Sequence, residues 1–235
     1  MKAKKYKLTE ETINVNDRTL YRIESLKDFS NVKKGDKGGF VEKESNLSHY
    51  GDCWICDNAM VYDNALVYGK ARVCQDAKIR GNARVHEDAM VCGNAIVSCN
   101  VIVCGNAMVC GNAEIRGNAV VCGKARVSDK TIVFDDAEVY DNAWVYGNAE
   151  IYGNARVYGN AEIGENAKVE SAADYIVFKN WWSSGRYFTW TRSNNMWKVG
   201  CFYGTGEQLI EKAYNDSEKS GREYEKIVRY TETVN

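Results

Sequence analysis

A six-residue unit repeats without insertion or deletion from residue 57 to about residue 169. Steps of six from Val61 to Val169 reach nineteen positions, and each of them is Val or Ile. The residue two places before each of these positions is Ala, except at Val101 and Thr131. Short internal repeats are typical of solenoids, because each unit is too small to bury its own apolar face and must stack on its neighbours.

The period of six does not fit an α-helix, in which side chains come into line about every 3.6 residues. The β-branched residue of each unit instead points inward while its two neighbours point outward, as in a short strand. Asn or Asp then occupies a turn position, and Lys replaces them only at Lys70, Lys124 and Lys130. Asn and Gly tolerate a positive φ at low cost, which suits a corner between strands. Each unit therefore forms one side of a polygonal coil.

The outward position after each Val or Ile shows how many units make one coil. Cys56, Cys74, Cys92 and Cys110 recur every eighteen residues, and the same column continues through Ser128 and Tyr146. Like residues recur at such a spacing when they stack on adjacent coils. Three units therefore make one triangular turn, and the repeat predicts a prism of six to seven coils, mainly β in class.

Each unit of the repeat has the order Val or Ile, any residue, Gly or Asp, Asn or Asp, Ala, any residue. This order resembles the hexapeptide repeat of left-handed parallel β-helices. Residues 21–23, 29–41, 46–48 and 51–55 resemble the start of the YdcK-like hexapeptide-repeat proteins. This resemblance covers residues from about 20 to about 170. It implies a left-handed coil, against the right-handed crossovers of most parallel sheets, and it implies no activity.

The segment before the repeat, residues 1–52, carries a hairpin signal. Two strand-like runs, 6–15 and 19–26, flank a turn at Asn16-Asp17-Arg18. A solenoid needs its open strand edges covered. We therefore expect residues 1–52 to cap the first coil and residues 53–173 to form the prism.

Residues 174–235 lose the period and become rich in aromatic residues, which predicts a small α+β domain. Turn clusters at 183–185 and 193–195 separate three strand-like runs. Thr205-Gly206-Glu207-Gln208 has the form of a capping box, and Leu209, Ile210, Ala213 and Tyr214 would share one face of the helix that it opens. The β-branched residues of 224–234 predict a last strand.

Charge and hydropathy exclude several classes of partner. The chain has 31 basic and 32 acidic residues, so no strong field attracts nucleic acid. The basic start, Met1-Lys2-Ala3-Lys4-Lys5, is followed by polar residues rather than by the apolar region of a signal peptide. No stretch is long and apolar enough to span a membrane, and we expect a cytoplasmic protein.

The nine cysteines are expected to be reduced and free of metal. Their number is odd, and stacked Cβ vectors run parallel, whereas a disulfide needs particular torsions and Cβ atoms about 3.8 Å apart. Reduced thiols fit the cytoplasm. Zinc needs four ligands that converge, and this column of thiols points one way, so no metal or other cofactor is predicted.

The alternative enzyme class is an acyl-CoA-dependent acyltransferase, because many left-handed β-helices are trimeric enzymes of this kind with a catalytic His near the subunit interface. This chain has only His49 and His86, and no unit of the repeat is interrupted by an extruded loop. His86 lies on an outward face and reads best as a solvated side chain. It is the fallback candidate for a general base.

The outward residues of the middle coils form an apolar patch that a soluble monomer rarely exposes. We expect a homo-oligomer to cover it, a trimer by fold analogy and a dimer second, unless the cap or the tail folds back over it. The expected interface residues are Met90, Cys92, Ile102, Cys104, Met108, Cys110, Val120 and Cys122.

Binding is expected at the aromatic tail, since loops on a rigid scaffold are where recognition usually lies. The candidate binding residues are Trp181, Trp182, Arg186, Tyr187 and Trp190. Some of them would form the core of the tail, and others would be exposed anchors. The favoured function is a non-catalytic scaffold or binding module for an unknown protein or small ligand. Its solenoid-plus-tail design favours a phage- or prophage-encoded interaction protein of the anti-defence type.

Overall fold

A computed structural model describes residues 4–233. A β-solenoid of about seven coils fills the middle of the chain, with a hairpin before it and a four-stranded sheet and two helices after it. Five residues lie outside the described ones. They are Met1 to Ala3, part of the basic start, and Val234 and Asn235, which end the expected last strand and the tail. The predicted class, mainly β with a triangular solenoid and an α+β tail, is confirmed, while the left-handed sense of the coil stays a prediction.

Each solenoid strand has two residues, one outward and one inward. In chain order the strands are β4 (Trp54–Ile55), β5 (Met60–Val61), β6 (Leu66–Val67), β7 (Arg72–Val73), β8 (Lys78–Ile79), β9 (Arg84–Val85), β10 (Met90–Val91), β11 (Ile96–Val97), β12 (Ile102–Val103), β13 (Met108–Val109), β14 (Glu114–Ile115), β15 (Val120–Val121), β16 (Arg126–Val127), β17 (Ile132–Val133), β18 (Glu138–Val139), β19 (Trp144–Val145), β20 (Glu150–Ile151), β21 (Arg156–Val157), β22 (Glu162–Ile163) and β23 (Lys168–Val169).

Every third strand pairs in parallel, so the coils have three flat faces. Face 1 runs from β4 to β22, face 2 from β5 to β23 and face 3 from β6 to β21. Val91 lies beside Val109 in this register, which is the predicted step of eighteen residues. The Val or Ile positions and the Ala positions are buried throughout. They form one continuous core that each coil extends.

At the corners of the coil, the residue with a positive φ lies one position earlier than the sequence predicted. The left-handed residue is the one that precedes the expected turn position, and it is Gly or Asp at most corners, as at Asp141, where φ is 59°. The Asp141 carboxylate accepts the backbone N–H of Gly159 on the next coil at 3.2 Å. The following Asn residues stack between coils instead, and the Asn82 amide donates to the Asn100 side chain at 3.0 Å.

The hairpin before the solenoid is confirmed. Strands β1 (Tyr6–Val15) and β2 (Arg18–Ser25) pair antiparallel, and Asn16 and Asp17 turn between them with φ of 48° and 61°. Strand β3 (Lys37–Val41) pairs antiparallel with β2 and parallel with β5, so the hairpin extends face 2. A short 3-10 helix, Glu44–Asn46, follows.

The coil leaves unpaired carbonyls at its first edge, because each outward residue donates its N–H to the next coil, as Met90 does to Ala107 at 2.9 Å. Donors from the cap occupy this edge. The ammonium of Lys5, which is fully buried, donates to the Cys53 carbonyl at 2.8 Å, and the Asn46 amide donates to the Ala65 carbonyl at 2.9 Å. Burial lowers the pKa of Lys5.

The tail contains four strands and two helices, joined to the solenoid by the 3-10 helix Ala172–Asp174. The strands form an antiparallel sheet in chain order. Their bounds, with those of the helices, are β24 (Tyr175–Lys179), β25 (Tyr187–Thr191), β26 (Met196–Val199), β27 (Phe202–Gly204), α1 (Gly206–Asp216) and α2 (Glu218–Thr233).

The tail confirms one sequence prediction and corrects two. The capping box is present, because the Thr205 hydroxyl accepts the N–H of Gln208 and the Gln208 side chain accepts the N–H of Thr205. The fourth strand, β27, was not predicted. The expected last strand from residue 224 is wrong, since this segment belongs to α2. There the buried residues Gly221, Tyr224, Val228 and Thr231 follow each other at helical spacing, which outweighs their β propensity.

The tail sheet lies between the end of the solenoid and the two helices. Tyr175 and Val177 pack against the solenoid core, while Trp190, Trp197 and Val228 belong to the core between sheet and helices. Oxygens from the tail meet the unpaired N–H groups of the last coil. The Thr189 hydroxyl accepts from Glu162 at 3.0 Å and the Ser193 hydroxyl from Lys168 at 2.7 Å. Both edges of the solenoid are therefore capped, the first by donors and the last by acceptors.

Among residues 4–233, neither helix is long and apolar enough to cross a membrane.

Candidate functional site

The tryptophans expected to bind a partner divide between surface and core. Trp181 is 73% exposed near the start of the β24–β25 connection, whereas Trp182 and Trp190 are buried. Trp182 packs edge-on against Tyr224 with ring centroids 4.9 Å apart. The Trp190 indole donates to the Asn195 side chain at 2.9 Å. Trp182 and Trp190 thus build the core of the tail, and Trp181 alone of these three offers a wide aromatic surface.

Arg186 and Tyr187 are neighbours in sequence but lie at different cavities. Arg186 borders a cavity on the helix side of the tail sheet. Tyr187 borders a cleft on the solenoid side, with Tyr158 and Tyr175. Successive side chains of an extended chain point to opposite sides, so the structure separates two residues that the sequence had grouped.

The cavity on the helix side, which we call the tail cavity, has a volume of about 300 Å³. It opens between the β24–β25 turn, the β26–β27 turn and the adjoining faces of α1 and α2. Its lining residues are Asn180, Ser183, Ser184, Arg186, Val199, Cys201, Phe202, Leu209, Lys212, Ala213, Asp216, Ser220 and Tyr224. A cavity of this size, with an apolar floor and polar rim, is suited to a small ligand or to one side chain of a partner.

Two cations border the tail cavity without being neutralised. Within residues 4–233, the side chains of Arg186 and Lys212 form no ion pair or hydrogen bond, and Asp216 is the acidic residue of the lining. Arginine and lysine donate strongly to carboxylates and phosphates. The rim is therefore suited to an anionic group that enters beside the hydroxyls of Ser183, Ser184 and Ser220.

The floor of the tail cavity is held by a buried polar network. The Asn180 amide donates to the Tyr224 hydroxyl at 3.0 Å. The Asn180 side-chain oxygen accepts both the N–H and the hydroxyl of Ser183, at 2.9 and 3.0 Å. Burial raises the pKa of Tyr224, so its phenol stays neutral at physiological pH. The network fixes the turn that carries Arg186.

Comparison with known proteins bears on the solenoid that supports this site. The model of the YdcK β-solenoid repeat matches residues 55–69, 61–75 and 149–165. All three matches lie within the solenoid. This confirms the resemblance drawn from the sequence. No curated protein matches the chain.

A second cleft lies where the solenoid meets the tail. It has a volume of about 410 Å³ and is lined by Tyr158, Tyr175 and Tyr187 with the apolar residues Ile176 and Val177. The ring of Tyr158 stacks on Tyr140 of the preceding coil, with centroids 5.3 Å apart. The tyrosine-rich surface of the last coils thus continues into the tail, but on the opposite side of the sheet from Arg186.

A larger cavity lies at the first coils of the solenoid. This open groove of about 790 Å³ is lined mainly by apolar atoms, from Leu47, Tyr50, Leu66 and Tyr68 among others. Tyr68 stacks on His86 with centroids 4.7 Å apart. The His86 Nδ1 atom lies 3.9 Å from the Glu87 carboxylate, which is beyond hydrogen-bond distance. His86 is thus held by stacking rather than oriented by an acid, and its catalytic role stays a prediction.

The expected oligomer patch lies on two faces of the solenoid that meet at one edge. Met90 and Met108 on face 1 are 37% and 36% exposed. The other residues of the patch are half-buried: Cys92, Cys110, Ile102, Cys104, Val120 and Cys122. The patch is continuous across the edge at Gly105, but its role in an interface stays a prediction.

Sequence reasoning missed Lys212, Asn180 and Tyr224. Lys212 lies beside Ala213 on the predicted helix, and nothing in its local pattern marks it as facing a cavity. Tyr224 was assigned to a strand, which hid its approach to Asn180. In residues 4–233 no group of three or more His, Cys, Asp or Glu side chains is arranged to hold a metal ion.

Proposed function

We propose that this protein is a non-catalytic binding module, in which the solenoid holds the tail rigidly and the tail cavity takes an anionic group of a partner. The observation that carries the proposal is the pair of cations, Arg186 and Lys212, at one cavity with no partner among the described residues. The group would be a carboxylate or a phosphate, on a small molecule or on a protein.

The attachment of the tail supports a presenting role for the solenoid. Three side-chain oxygens, from Tyr175, Thr189 and Ser193, accept backbone N–H groups of the last coil. The sheet is packed on both sides, so the tail has little freedom to move against its support. A binding surface that is rigid before the partner arrives loses less entropy on association.

Trp181 extends the proposed site. It lies next to Trp182, with ring centroids 6.0 Å apart, at the turn that also carries Arg186. An exposed tryptophan beside a cationic cavity has the composition of an interaction hot spot. We assign Trp181 the apolar contact with the partner and Arg186 and Lys212 the polar contact.

Affinity capture from host lysate with paired variants tests this proposal. The double variant Arg186→Gln, Lys212→Gln removes both cations and keeps their bulk. The matched control, Arg84→Gln with Lys130→Gln, makes the same charge change on exposed solenoid positions. We expect the first variant to lose partners that the wild type and the control retain. Equal capture by all three proteins would refute the assignment to the tail cavity.

Point variants are preferable to truncation after Glu170. Removal of the tail would expose the N–H groups of the last coil, together with the apolar end of the solenoid core. An exposed strand edge pairs with other chains. If the truncated protein lost a partner, aggregation would then explain the loss as readily as removal of the binding site.

An acyl-CoA-dependent acyltransferase is the second candidate, favoured by the large groove whose wall residue Tyr68 stacks on His86. Calorimetric titration with CoA and acetyl-CoA separates the two functions. Binding that disappears in His86→Ala would support the enzyme. If the correctly folded wild type binds neither CoA nor acetyl-CoA, the acyltransferase is refuted and the binding module remains as the function.

Self-association through Met90, Met108, Ile102 and Val120 is part of the proposal, with a trimer first and a dimer second. Its support is the exposure of the two methionines on adjacent coils. A left-handed coil, a cytoplasmic location and a phage or prophage origin of the anti-defence type stay predictions from the sequence.

A further inference from the structure

Two cysteines on the first two coils touch each other. Cys56 follows β4 and Cys74 follows β7, and these strands pair in parallel with Ile55 beside Val73. The two Sγ atoms are 2.6 Å apart, closer than thiols that merely stack. Paired strands lie about 4.8 Å apart, which is within the Cα separation that a disulfide spans. The side chains thus turn toward each other, although their Cβ vectors start out parallel.

A cation adjoins this pair and favours a thiolate in it. The Arg72 guanidinium is 3.9 Å from the Cys56 Sγ atom, and Asn31 accepts a hydrogen bond from Arg72 at 2.6 Å, which fixes its position. The hydrogen bond from Cys56, followed by the charge of Arg72, lowers the pKa of Cys74 to about 7. That same contact raises the pKa of Cys56. The contact between the two sulfur atoms thus favours a thiolate on one of them beside a neutral thiol on the other, and the lowered pKa assigns the thiolate to Cys74.

We propose that Cys56 and Cys74 form a peroxide-reactive dithiol site, which closes to a disulfide between the first two coils. The Cys74 thiolate attacks one oxygen of hydrogen peroxide, breaks the O–O bond and becomes a sulfenic acid, and the hydroxide released takes a proton to become water. Cys56 then loses its proton and attacks the Cys74 sulfur, which expels the second hydroxide as water. Two thiols lose two electrons in total, and one peroxide gains them.

The other stacked thiols provide an internal control. Cys92 and Cys110 continue the same column, and burial raises the pKa of both. Their neutral thiols are poor nucleophiles at pH 7. The site is thus distinguished within one column by the 2.6 Å sulfur contact and by the guanidinium 3.9 Å from Cys56.

Peptide mapping of the peroxide-treated full chain tests the proposal. Alkylation of the remaining thiols and digestion with trypsin place Cys74 in residues 73–78 and Cys56 in residues 44–70. We expect these two peptides to become joined with loss of two hydrogen atoms, while Cys92 and Cys110 remain alkylated. Fragmentation of the joined peptide assigns the bond to Cys56 rather than to the buried Cys53.

Two variants sharpen the result. Cys74→Ser should leave Cys56 open to alkylation, and Arg72→Gln should slow formation of the joined peptide because the cation no longer favours the thiolate. Cys92→Ser should change neither. If Cys56 and Cys74 in the wild type stay as fully alkylated as Cys92 after peroxide, or if the joined peptide links other cysteines, the proposal is overturned.

Discussion

The hydroxyl of Tyr175 accepts the backbone N–H of Tyr158 at 3.3 Å and donates to the carbonyl of Arg156 at 2.9 Å. Tyr175 is the first residue of the tail sheet, and Tyr158 follows the last strand of face 3. In the coils before it, each such N–H finds a carbonyl on the next coil, as Tyr140 does at Val157. The phenol of Tyr175 therefore stands where the third strand of the seventh coil would lie, and it joins the tail to the end of the solenoid.

Tyr175→Phe should lower the stability of the whole chain. The change keeps the ring but leaves the N–H of Tyr158 and the carbonyl of Arg156 without a partner, and an unsatisfied buried group costs about 1–3 kcal/mol. Urea unfolding measures the free energy of unfolding. Tyr230→Phe, at an exposed position, is the control and should change it little. Equal stabilities for the two variants would show that the Tyr175 hydroxyl does not stabilise the junction.

The same residue gives a prediction for alkaline pH. Burial raises the pKa of Tyr175 to about 12, above the value of about 10 in an unfolded chain. A raised folded pKa means that its stabilising contribution is complete below pH 10 and is lost as pH rises through 12. Unfolding measured between these values should show a steeper loss of stability in the wild type than in Tyr175→Phe. Parallel pH profiles would contradict this assignment.

Val109→Asp should abolish folding. Val109 is fully buried in a middle coil, so the carboxylate would be an unpaired charge in an apolar core. Arg126→Asp is the matched control, because Arg126 lies beside Met108 on the neighbouring coil and points outward. Circular dichroism and solubility measure both. A soluble Val109→Asp protein that unfolds cooperatively would disprove the inward assignment.

Corner residues offer a graded test at Asp141, which combines a positive φ with the hydrogen bond to Gly159. Asp141→Asn keeps both an acceptor and tolerance of this φ, and should leave stability nearly unchanged. Asp141→Gly loses the bond but relieves the backbone, whereas Asp141→Ala loses the bond and retains a left-handed strain of about 1–2 kcal/mol. The expected order of unfolding free energies is Asn, then Gly, then Ala, and an Ala variant as stable as Asn would contradict it.

Met108→Glu should dissociate the expected oligomer. It places a charge in the middle of the apolar patch, where association would have to bury it. Trp144→Glu, on the same face two coils further and also exposed, is the control and should keep the mass of the wild type. Light scattering decides between these outcomes. If the wild type is monomeric at all concentrations, the patch is not an interface between copies of this chain.

The solenoid could be predicted because every unit repeats the same local pattern of residues. An inward Val or Ile and a corner after it recur nineteen times, with Ala before it in seventeen of these units, so an error at one unit would be visible at the others. The corner was misplaced by one residue because Asn tolerates a positive φ as well as Gly does. Only the ladder between residues such as Asn82 and Asn100 shows that Asn has a different role.

The tail was less predictable because each of its elements occurs once. The segment from Tyr224 has β-branched residues that favour a strand, but packing against α1 makes it a helix. Alternation along β25 could have separated Arg186 from Tyr187, but not shown which side the solenoid covers. Lys212 joins Arg186 only through the packing of α1 against the sheet, which no local pattern encodes.

Anion binding at the tail cavity is tested most directly by nuclear magnetic resonance of the six tryptophan indole N–H groups. Trp182 packs on Tyr224 in the cavity lining, whereas Trp54 lies in the first coil. Titration with inorganic phosphate or glutamate, at ionic strength matched with sodium chloride, should shift the Trp182 signal and leave Trp54 unchanged. The shift should be lost in Arg186→Gln, Lys212→Gln. A Trp182 signal that does not move, or that moves equally in this variant, would contradict the proposed function.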